Sequence, residues 1–348
     1  IVTIAGSGNF TFSGDGMLAT DAALNSPQSV ACVNEEVYIA DTGNNRIRKI
    51  FSNGTITTIA GNGTYGHCGD GGIATDACLH HPVSVVVSHA GEVFISDEFQ
   101  SVVWKVDSNG IISTFAGTPG SSGYNGDGDG GLAIDAKLYY PRGLAFNDEG
   151  ELLIADSVDD RIRKVDNFGV ISTVVAGLSY TYDVGVGRDG ELFIVENGDR
   201  RITKFDNHGV KIQIAGFTPS SNGYSNAEYI GDFYVPENAL LAFVSSVSVL
   251  SDTELIVADT YNQMIKKVDI NAKSIVSLTD ANILSYPRGA IVVNHDIYLA
   301  DYGNHCIRKI GLHNSVISVV AGVCGSGGYY GDGSLATSAQ LFYPSSVV

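Results

Sequence analysis

The segment VYIADTGNNRIRKI, residues 37–50, indicates the fold, because variants of it recur along the chain. They read VFISDEFQSVVWKV, LLIADSVDDRIRKV, LFIVENGDRRITKF, LIVADTYNQMIKKV and IYLADYGNHCIRKI. Each carries one acidic residue at the same place, here called an acidic anchor: Asp41, Asp97, Asp156, Glu196, Asp259 and Asp301. Their spacings are 56, 59, 40, 63 and 42 residues. A period near 40 with insertions at one point is typical of propeller blades that carry loops on one face.

Each repeat divides into four short strands. In the first repeat they are QSVACV, EVYIAD, NRIRKI and GTITTIAG, joined by the turn residues NEE and SNG. The segments are rich in Val, Ile and Thr, which suit a half-buried pleated surface. The sequence therefore predicts an all-β propeller of four-stranded antiparallel blades, in a single domain over residues 1–348.

A second motif lies between the blades. It reads SGDGMLATDAALNSP at 13–27, GHCGDGGIATDACLHHP at 66–82, NGDGDGGLAIDAKLYYP at 125–141 and GDGSLATSAQLFYP at 331–344. We interpret it as the crossover from one blade to the next. In a four-stranded blade, this crossover lies at the same face as the turn between the second and third strands. That face is expected to be acidic and rich in glycine.

These two motifs, YIADTGNNRIRK and the GDGG…AT.A.L..P crossover, resemble those of the NHL-repeat family of β-propellers. The resemblance covers essentially the whole chain and implies the propeller fold. The family includes RNA-binding modules, peptide-amidating lyases, adhesion proteins and bacterial sensor domains, so the fold alone does not name a function.

The two ends of the sequence raise the question of how many blades there are. IVTIAG at 1–6 matches a fourth strand, and YPSSVV at 343–348 matches a first strand. We therefore expect six complete blades and an incomplete seventh, closed by the N-terminal strand, in an excerpt of a longer chain. The alternative is a six-bladed ring.

Composition excludes two classes of function. The formal net charge is −18 and the pI about 4.6, whereas nucleic-acid binding requires a basic surface. No apolar run is long enough to span a bilayer. We expect neither nucleic-acid binding nor membrane insertion.

Five cysteines and three N-glycosylation sequons favour an extracellular or cell-surface location. The sequons are at Asn9, Asn53 and Asn62. We predict disulfides that join Cys68 to Cys78 and Cys306 to Cys324, and expect Cys32 to be a small buried apolar residue. The rival hypothesis for the first pair is a zinc site with His67 and His80, although the spacing is not that of a usual zinc motif.

Three sets of polar residues are candidates for a site. The aspartates of the GDG motifs are expected to cap the short helical turn ATDA or their own loop. The rival hypothesis is calcium, for which Asp127 and Asp129 in DGDGG offer carboxylates. Arg142 and Arg288, both in YPRG, should lie at the rim of the central channel. There they either pair with neighbouring aspartates or recognise an anionic or carbonyl group.

The sequence carries no G-x-S-x-G or H-E-x-x-H motif, and its eight histidines do not recur in phase. We therefore predict a non-catalytic extracellular scaffold for adhesion, matrix or filament building, with no cofactor. Its partner would be a protein, a glycan or another copy of the chain. The alternative is a metal-dependent lyase or hydrolase acting at the central channel.

Overall fold

The computed structural model describes residues 5, 11–34, 36–121, 128–187, 190–206, 208–216, 239, 241–251, 253–280, 283–293, 296–312, 316–328, 335–344 and 347. These residues form an all-β propeller of six blades, each an antiparallel sheet of four strands in sequence order. They fall into two compact units, residues 3–178 and residues 179–347. That residues 1–348 form a single domain stays a prediction. None of the helical segments in these ranges is long and apolar enough to cross a bilayer.

The unit of residues 3–178 contains three blades. Blade one consists of β1 (Ser29–Val33), β2 (Glu36–Asp41), β3 (Arg46–Ile50) and β4 (Ile56–Ala60). Blade two consists of β5 (Pro82–Val87), β6 (Val93–Asp97), β7 (Val102–Val106) and β8 (Ile112–Ala116). Blade three consists of β9 (Pro141–Phe146), β10 (Leu152–Asp156), β11 (Arg161–Val165) and β12 (Ile171–Val175).

The unit of residues 179–347 contains the other three blades. Blade four consists of β13 (Thr181–Val186), β14 (Leu192–Glu196), β15 (Arg201–Phe205) and β16 (Lys211–Ala215). Blade five consists of β17 (Val244–Ser251), β18 (Glu254–Asp259), β19 (Met264–Asp269) and β20 (Ser274–Ser277). Blade six consists of β21 (Pro287–Val293), β22 (Asp296–Asp301), β23 (Cys306–Gly311) and β24 (Ile317–Ala321).

The cores of the two units lie between successive blades. Tyr38 and Ile47 of blade one pack in one cluster with Ile95 and Trp104 of blade two. The second strands are the most buried, and every residue of β6, β10 and β14 is buried. Because both faces of a blade contact apolar neighbours, these strands are continuous apolar runs that end in one acidic anchor.

The GDG crossovers before blades one, two and three each cover the outer edge of the blade that follows. The amides of Gly16, Gly71 and Gly130 donate to the carbonyls of Ile56, Ile112 and Ile171 at 2.8 Å. The ATDA segments form single 3-10 turns, as the sequence predicts, at Ala19–Asp21, Ala74–Asp76, Ala133–Asp135 and Ala336–Ser338. The GDG repeat is therefore part of the architecture and shields a sheet edge that would otherwise be open to pairing.

The prediction of an incomplete seventh blade is wrong for the part of the chain that the structure describes. Residues 335–344 contain no strand and instead fold against blade six, where the amide of Gly322 donates to Ala336 O at 3.0 Å. The amide of Tyr343 donates to Nδ1 of His305 at 3.1 Å. The bond from Gly322 to Ala336 is equivalent to those from Gly61 to Ala74 and from Gly117 to Ala133 in the crossovers between blades, but no described residue after this segment forms a strand. Most of IVTIAG at 1–6 and of SSVV at 345–348 lies outside the described residues.

Candidate functional site

The acidic anchors are buried structural groups. Each is fully buried, and five of them accept a backbone amide from the crossover that precedes their own blade. The amide of Asn25 donates to Asp41 at 2.7 Å, and that of Ser285 donates to Asp301 at 2.7 Å. Equivalent bonds reach Asp97, Asp156 and Asp259. The anchor thus fastens a long loop to the end of its second strand.

Asp97 differs from the other anchors because the third strand of its blade has Trp104 where three other blades have arginine. Oδ2 of Asp97 accepts from the amide of His80 at 2.8 Å and from Nε1 of Trp104 at 3.2 Å. No salt bridge to Asp97 is present within the described ranges. Burial raises the pKa of Asp97 to about 8, against the opposing effect of these hydrogen bonds.

The GDG aspartates make structural contacts, but not the ones expected. Asp15 pairs with Arg48 at 2.8 Å and Asp129 pairs with Arg163 at 2.7 Å, while Asp70 accepts from the amide and hydroxyl of Thr114. The four 3-10 turns have no side-chain cap, so the capping prediction is wrong. The carboxylates reach further because buried donors on the following blade attract them. Asp127 lies outside the described residues, and calcium at Asp127 and Asp129 stays a prediction.

The predicted cysteine pairs are confirmed. Cys68 is bonded to Cys78 and Cys306 is bonded to Cys324. The zinc hypothesis for the first pair is wrong, because disulfide sulfurs offer no thiolate. His67 instead stacks on Trp104 with ring centroids 5.0 Å apart. Asp301 lies near the second disulfide, but the same chemistry removes its two sulfurs as metal ligands.

Cys32 is the free cysteine of the described chain, and it is exposed. The expectation that it is buried is wrong, because no residue of β1 is fully buried.

The turn after the second strand and the crossover lie together in every blade, as expected from topology. The amide of Gly43 donates to Asn25 O at 2.8 Å, that of Tyr261 to Ala242 O at 2.9 Å, and that of Gly303 to Ser285 O at 2.7 Å. We call this end of the blades, in each unit, the turn–crossover end. Because turns between third and fourth strands lie at the opposite end, they provide a reference surface.

A series of mostly aromatic residues lies at the turn–crossover end, and it was not predicted from the sequence. The residue that leads into each first strand has a positive φ, between 47° and 69°. These residues are Ser26, His81, Tyr140, Tyr180, Phe243 and Tyr286, and Tyr343 near the C-terminal end has the same conformation. Such a backbone conformation is rare for bulky side chains. The signal was the recurrence of an aromatic residue or histidine before proline, in HHP, YYP, SYP and FYP.

In residues 3–178 this series builds a cluster of rings around Phe99. The ring of His81 stacks on Phe99 at 4.5 Å, and Tyr140 meets Phe99 edge-on at 5.8 Å. Tyr65 packs beside His80 at 5.5 Å. Phe99 is 46% exposed and Tyr65 is 72% exposed. The cluster therefore presents aromatic surface to solvent.

Beneath these rings, Glu98 joins two blades. Its buried carboxylate contacts Nδ1 of His81 at 2.9 Å and pairs with Nη2 of Arg142. Arg142 is therefore paired, as one of the two hypotheses stated, although its partner is Glu98 and not an acidic anchor. In other blades the residue after the anchor is neutral. Thr42 donates to Pro82 O at 2.7 Å, and Thr260 donates to Pro287 O at 2.8 Å.

In residues 179–347 a second cluster forms around Tyr261. Its ring stacks on Phe243 at 4.9 Å and meets Tyr286 edge-on at 6.0 Å. Tyr261 is 60% exposed and Tyr286 is 49% exposed. Next to it, Tyr302 packs on Tyr343 at 4.8 Å. The guanidinium of Arg288 lies over the ring of Tyr302, 4.1 Å from its centroid.

This arrangement suits contact and recognition. Exposed aromatic rings bury a large apolar area at small entropic cost, and they carry much of the affinity of protein interfaces. The acidic residues that looked accessible in the sequence are largely consumed by internal pairs. Exposed aspartates such as Asp21, Asp76 and Asp135 remain, together with the exposed aromatic side chains.

Comparisons with known proteins agree with the fold. The family model described as Teneurin NHL domain matches residues 60–124 and 118–184. The chain is 30% identical over 333 residues to Protein SUPPRESSOR OF QUENCHING 1, chloroplastic, of Arabidopsis thaliana, covering 90% of this chain and 27% of that protein. It is 32% identical over 190 residues to Teneurin-1 of Mus musculus, covering 47% of this chain and 7% of that protein. The chain thus spans about a quarter or less of these relatives.

Solved structures with the same fold are more distant in sequence. A streptogramin B lyase structure superposes with a TM-score of 0.59 at 15% identity, covering 84% of this chain and 82% of that one. A chain of a nidogen/laminin complex superposes with a TM-score of 0.51 at 12% identity, covering 81% and 90%. At these identities the likeness shows the fold alone. The repeat, the six blades and the teneurin matches together support membership of the NHL-repeat β-propeller family.

Proposed function

We propose that the chain is a non-catalytic binding module whose turn–crossover end holds a protein partner. The observation that carries the proposal is the exposure of aromatic side chains at this end in both units. Phe99 and Tyr65 are exposed in one, and Tyr261 and Tyr286 in the other. Aromatic residues are enriched at interface cores, whereas an isolated soluble surface gains nothing from displaying them in clusters.

The relatives favour the same class of function. The match to teneurin NHL domains suggests a role in protein interaction or assembly. A glycan and a second copy of this chain are the competing occupants. Aromatic rings also stack on sugars, but the net charge of −18 favours a partner with a complementary basic surface.

The experiment compares aromatic variants at the two ends of the same unit. Proteins captured by the wild-type chain are identified, and the dissociation constant of each is measured. Phe99→Ala is expected to weaken binding of the true partner by about 30-fold, as for an interface hot spot of 2 kcal/mol. The matched control is Phe168→Ala, because Phe168 is 88% exposed but lies in the turn between β11 and β12 at the opposite end.

We expect Phe168→Ala to change the dissociation constant by less than threefold. Equal losses in the two variants, or none in either, would contradict the proposed surface. Tyr261→Ala repeats the test in the other unit. Sedimentation of the chain alone detects self-association, and titration with oligosaccharides detects a glycan ligand.

We further propose an extracellular or cell-surface location for this module. The two disulfides support an oxidising compartment. Asn53 and Asn62 are exposed, whereas Asn9 lies outside the described residues. Nδ2 of Asn62, the atom to which a glycan would be attached, donates a hydrogen bond to Asp76 O at 3.0 Å and is therefore partly engaged.

If this location is correct, native material carries glycans, with higher occupancy at Asn53 than at Asn62. Peptide mapping by mass spectrometry, with and without deglycosylation, measures both occupancies. Unmodified asparagine at both positions, together with reduced cysteines, would count against an extracellular location.

The alternative function is a metal-dependent lyase or hydrolase. The observation that favours it is the carboxylate of Glu98, which is held between His81 and Arg142 and could serve acid–base chemistry. Elemental analysis after dialysis against metal-replete buffer, and turnover assays with and without chelator, separate this alternative from the binding module.

A further inference from the structure

Arg288 occupies an unusual position for an arginine in so acidic a protein. It lies in β21 at the turn–crossover end of blade six, and its guanidinium packs over Tyr302. Its Nε atom is shielded from solvent and donates no hydrogen bond within the described part of the chain. Asp301, the acidic anchor of the same blade, pairs instead with Nε of Arg308 at 2.6 Å. No described carboxylate forms a salt bridge with Arg288.

Arg142 of blade three corresponds to Arg288 and has the carboxylate partner that Arg288 lacks within the described chain. Arg142 follows Pro141 as Arg288 follows Pro287, and it is neutralised by Glu98 from the turn of the preceding blade. In blade five the residue equivalent to Glu98 is Thr260, which donates its hydroxyl to Pro287 O. A threonine cannot neutralise a guanidinium. The arginine at this position is therefore paired with a carboxylate in blade three, whereas no described carboxylate pairs with it in blade six.

The surroundings of Arg288 fit a ligand group that is both planar and negatively charged. A guanidinium matches a carboxylate with two parallel hydrogen bonds, and packing on an aromatic ring fixes its plane in advance. Tyr343, which contacts Tyr302 at 4.8 Å, is itself exposed.

We infer that Arg288 is a carboxylate-binding residue that anchors an acidic side chain of the bound partner. The inference rests on the proposed binding function and gives that partner a chemical feature, a Glu or Asp that reaches Tyr302. A net-acidic chain would repel such a group elsewhere, so this one arginine sets the register of the partner at the turn–crossover end.

The experiment uses the whole chain and a matched pair of probes, N-acetyl-glutamate methylamide and N-acetyl-glutamine methylamide. The signal is the side-chain Nε–H resonance of Arg288 in nitrogen–proton correlation spectra. We expect the acidic probe to shift it in a saturable way, with at least tenfold weaker binding of the neutral probe. Arg288→Gln should abolish the saturable shifts at neighbouring tyrosines. Arg288→Lys should weaken them several-fold, because the planar fork is lost.

Two further variants separate recognition from general charge and from misfolding. Lys273→Gln removes the same charge from the turn between β19 and β20, at the opposite end, and should leave binding within twofold of wild type. Thr260→Glu supplies the internal carboxylate found at Glu98 and should block the probe while Arg288 remains. Each variant is checked for a native spectrum.

Equal binding of the two probes, or retained binding in a folded Arg288→Gln variant, would overturn the inference. Loss of binding in Lys273→Gln would also overturn it, because the effect would then be one of overall charge. Since the probes report on Arg288 directly, their outcome is independent of the Phe99 test. If the acidic probe binds but Phe99→Ala and Tyr261→Ala leave partner binding unchanged, the proposed binding surface is rejected while the inference about Arg288 stands.

Discussion

Replacing Arg163 with methionine is expected to reduce the free energy of unfolding of the unit of residues 3–178 by about 3–5 kcal/mol. The side chain of Arg163 is fully buried, and it pairs with Asp156 at 3.6 Å and Asp129 at 2.7 Å. Methionine fills much of the volume but leaves the carboxylate of Asp156 buried without its cation. Burial already raises the pKa of Asp156 to about 7, so the measurement belongs at pH 8, where this carboxylate is ionised.

The control for this variant is the neighbouring residue on the same strand. Lys164 pairs with Glu151 at 2.7 Å, but its side chain is 31% exposed. Because exposed ion pairs contribute little, Lys164→Met should cost less than about 1 kcal/mol. Urea unfolding followed by the fluorescence of Trp104, the single tryptophan of the chain, reports on this unit. Similar decreases in the free energy of unfolding in the two variants would show that the buried pair of Arg163 and Asp156 contributes little to stability.

Stability is expected to fall as pH rises from 5 to 8, and Asp97 should account for much of the fall. In the folded chain its pKa is raised to about 8, from an ordinary value of 3.8. Folding therefore takes up a proton over this interval, because the unfolded chain has already released it. The free energy of unfolding then decreases with pH, by at most about 1.4 kcal/mol per pH unit for this one group.

Asp97→Asn isolates that contribution from the general effect of net charge. The asparagine does not titrate, so its variant should lose distinctly less stability between pH 5 and 8 than the wild type loses. Trp104 donates to Asp97, so the fluorescence of the folded wild-type chain should titrate with an apparent pKa near 8. An identical pH dependence of stability in the two proteins would show that Asp97 is ionised in the fold at all these pH values.

The blade architecture could be predicted because it is written in local patterns that repeat. The segment at 37–50 recurs with one acidic residue after an apolar run, and it places β2, the following turn and β3 almost to the residue. The two cysteine pairs were also predictable, because Cys68 and Cys78 lie in one crossover and Cys306 and Cys324 lie in the repeat of one blade. A residue that recurs once in each blade, such as an acidic anchor, is expected to support the fold and not a single binding or catalytic site.

The candidate site was less predictable, because its residues are brought together by contacts between blades. Glu98 and Arg142 are 44 residues apart, and only the packing of blade two on blade three shows that they pair. The positive φ of the aromatic residues before the first strands has no signature beyond the proline that follows some of them. The segments at the two ends resemble strands and predicted a seventh blade, but no described residue after β24 forms a strand.

Hydrogen–deuterium exchange of the chain, with and without the captured partner, tests whether the turn–crossover end binds a protein partner. We expect slower exchange in the complex at residues 98–101 and 260–263, which are turns at that end. We expect unchanged exchange at residues 107–110 and 166–169, which are turns at the opposite end. Protection confined to the second pair of turns, or spread equally over both ends, would contradict this proposal.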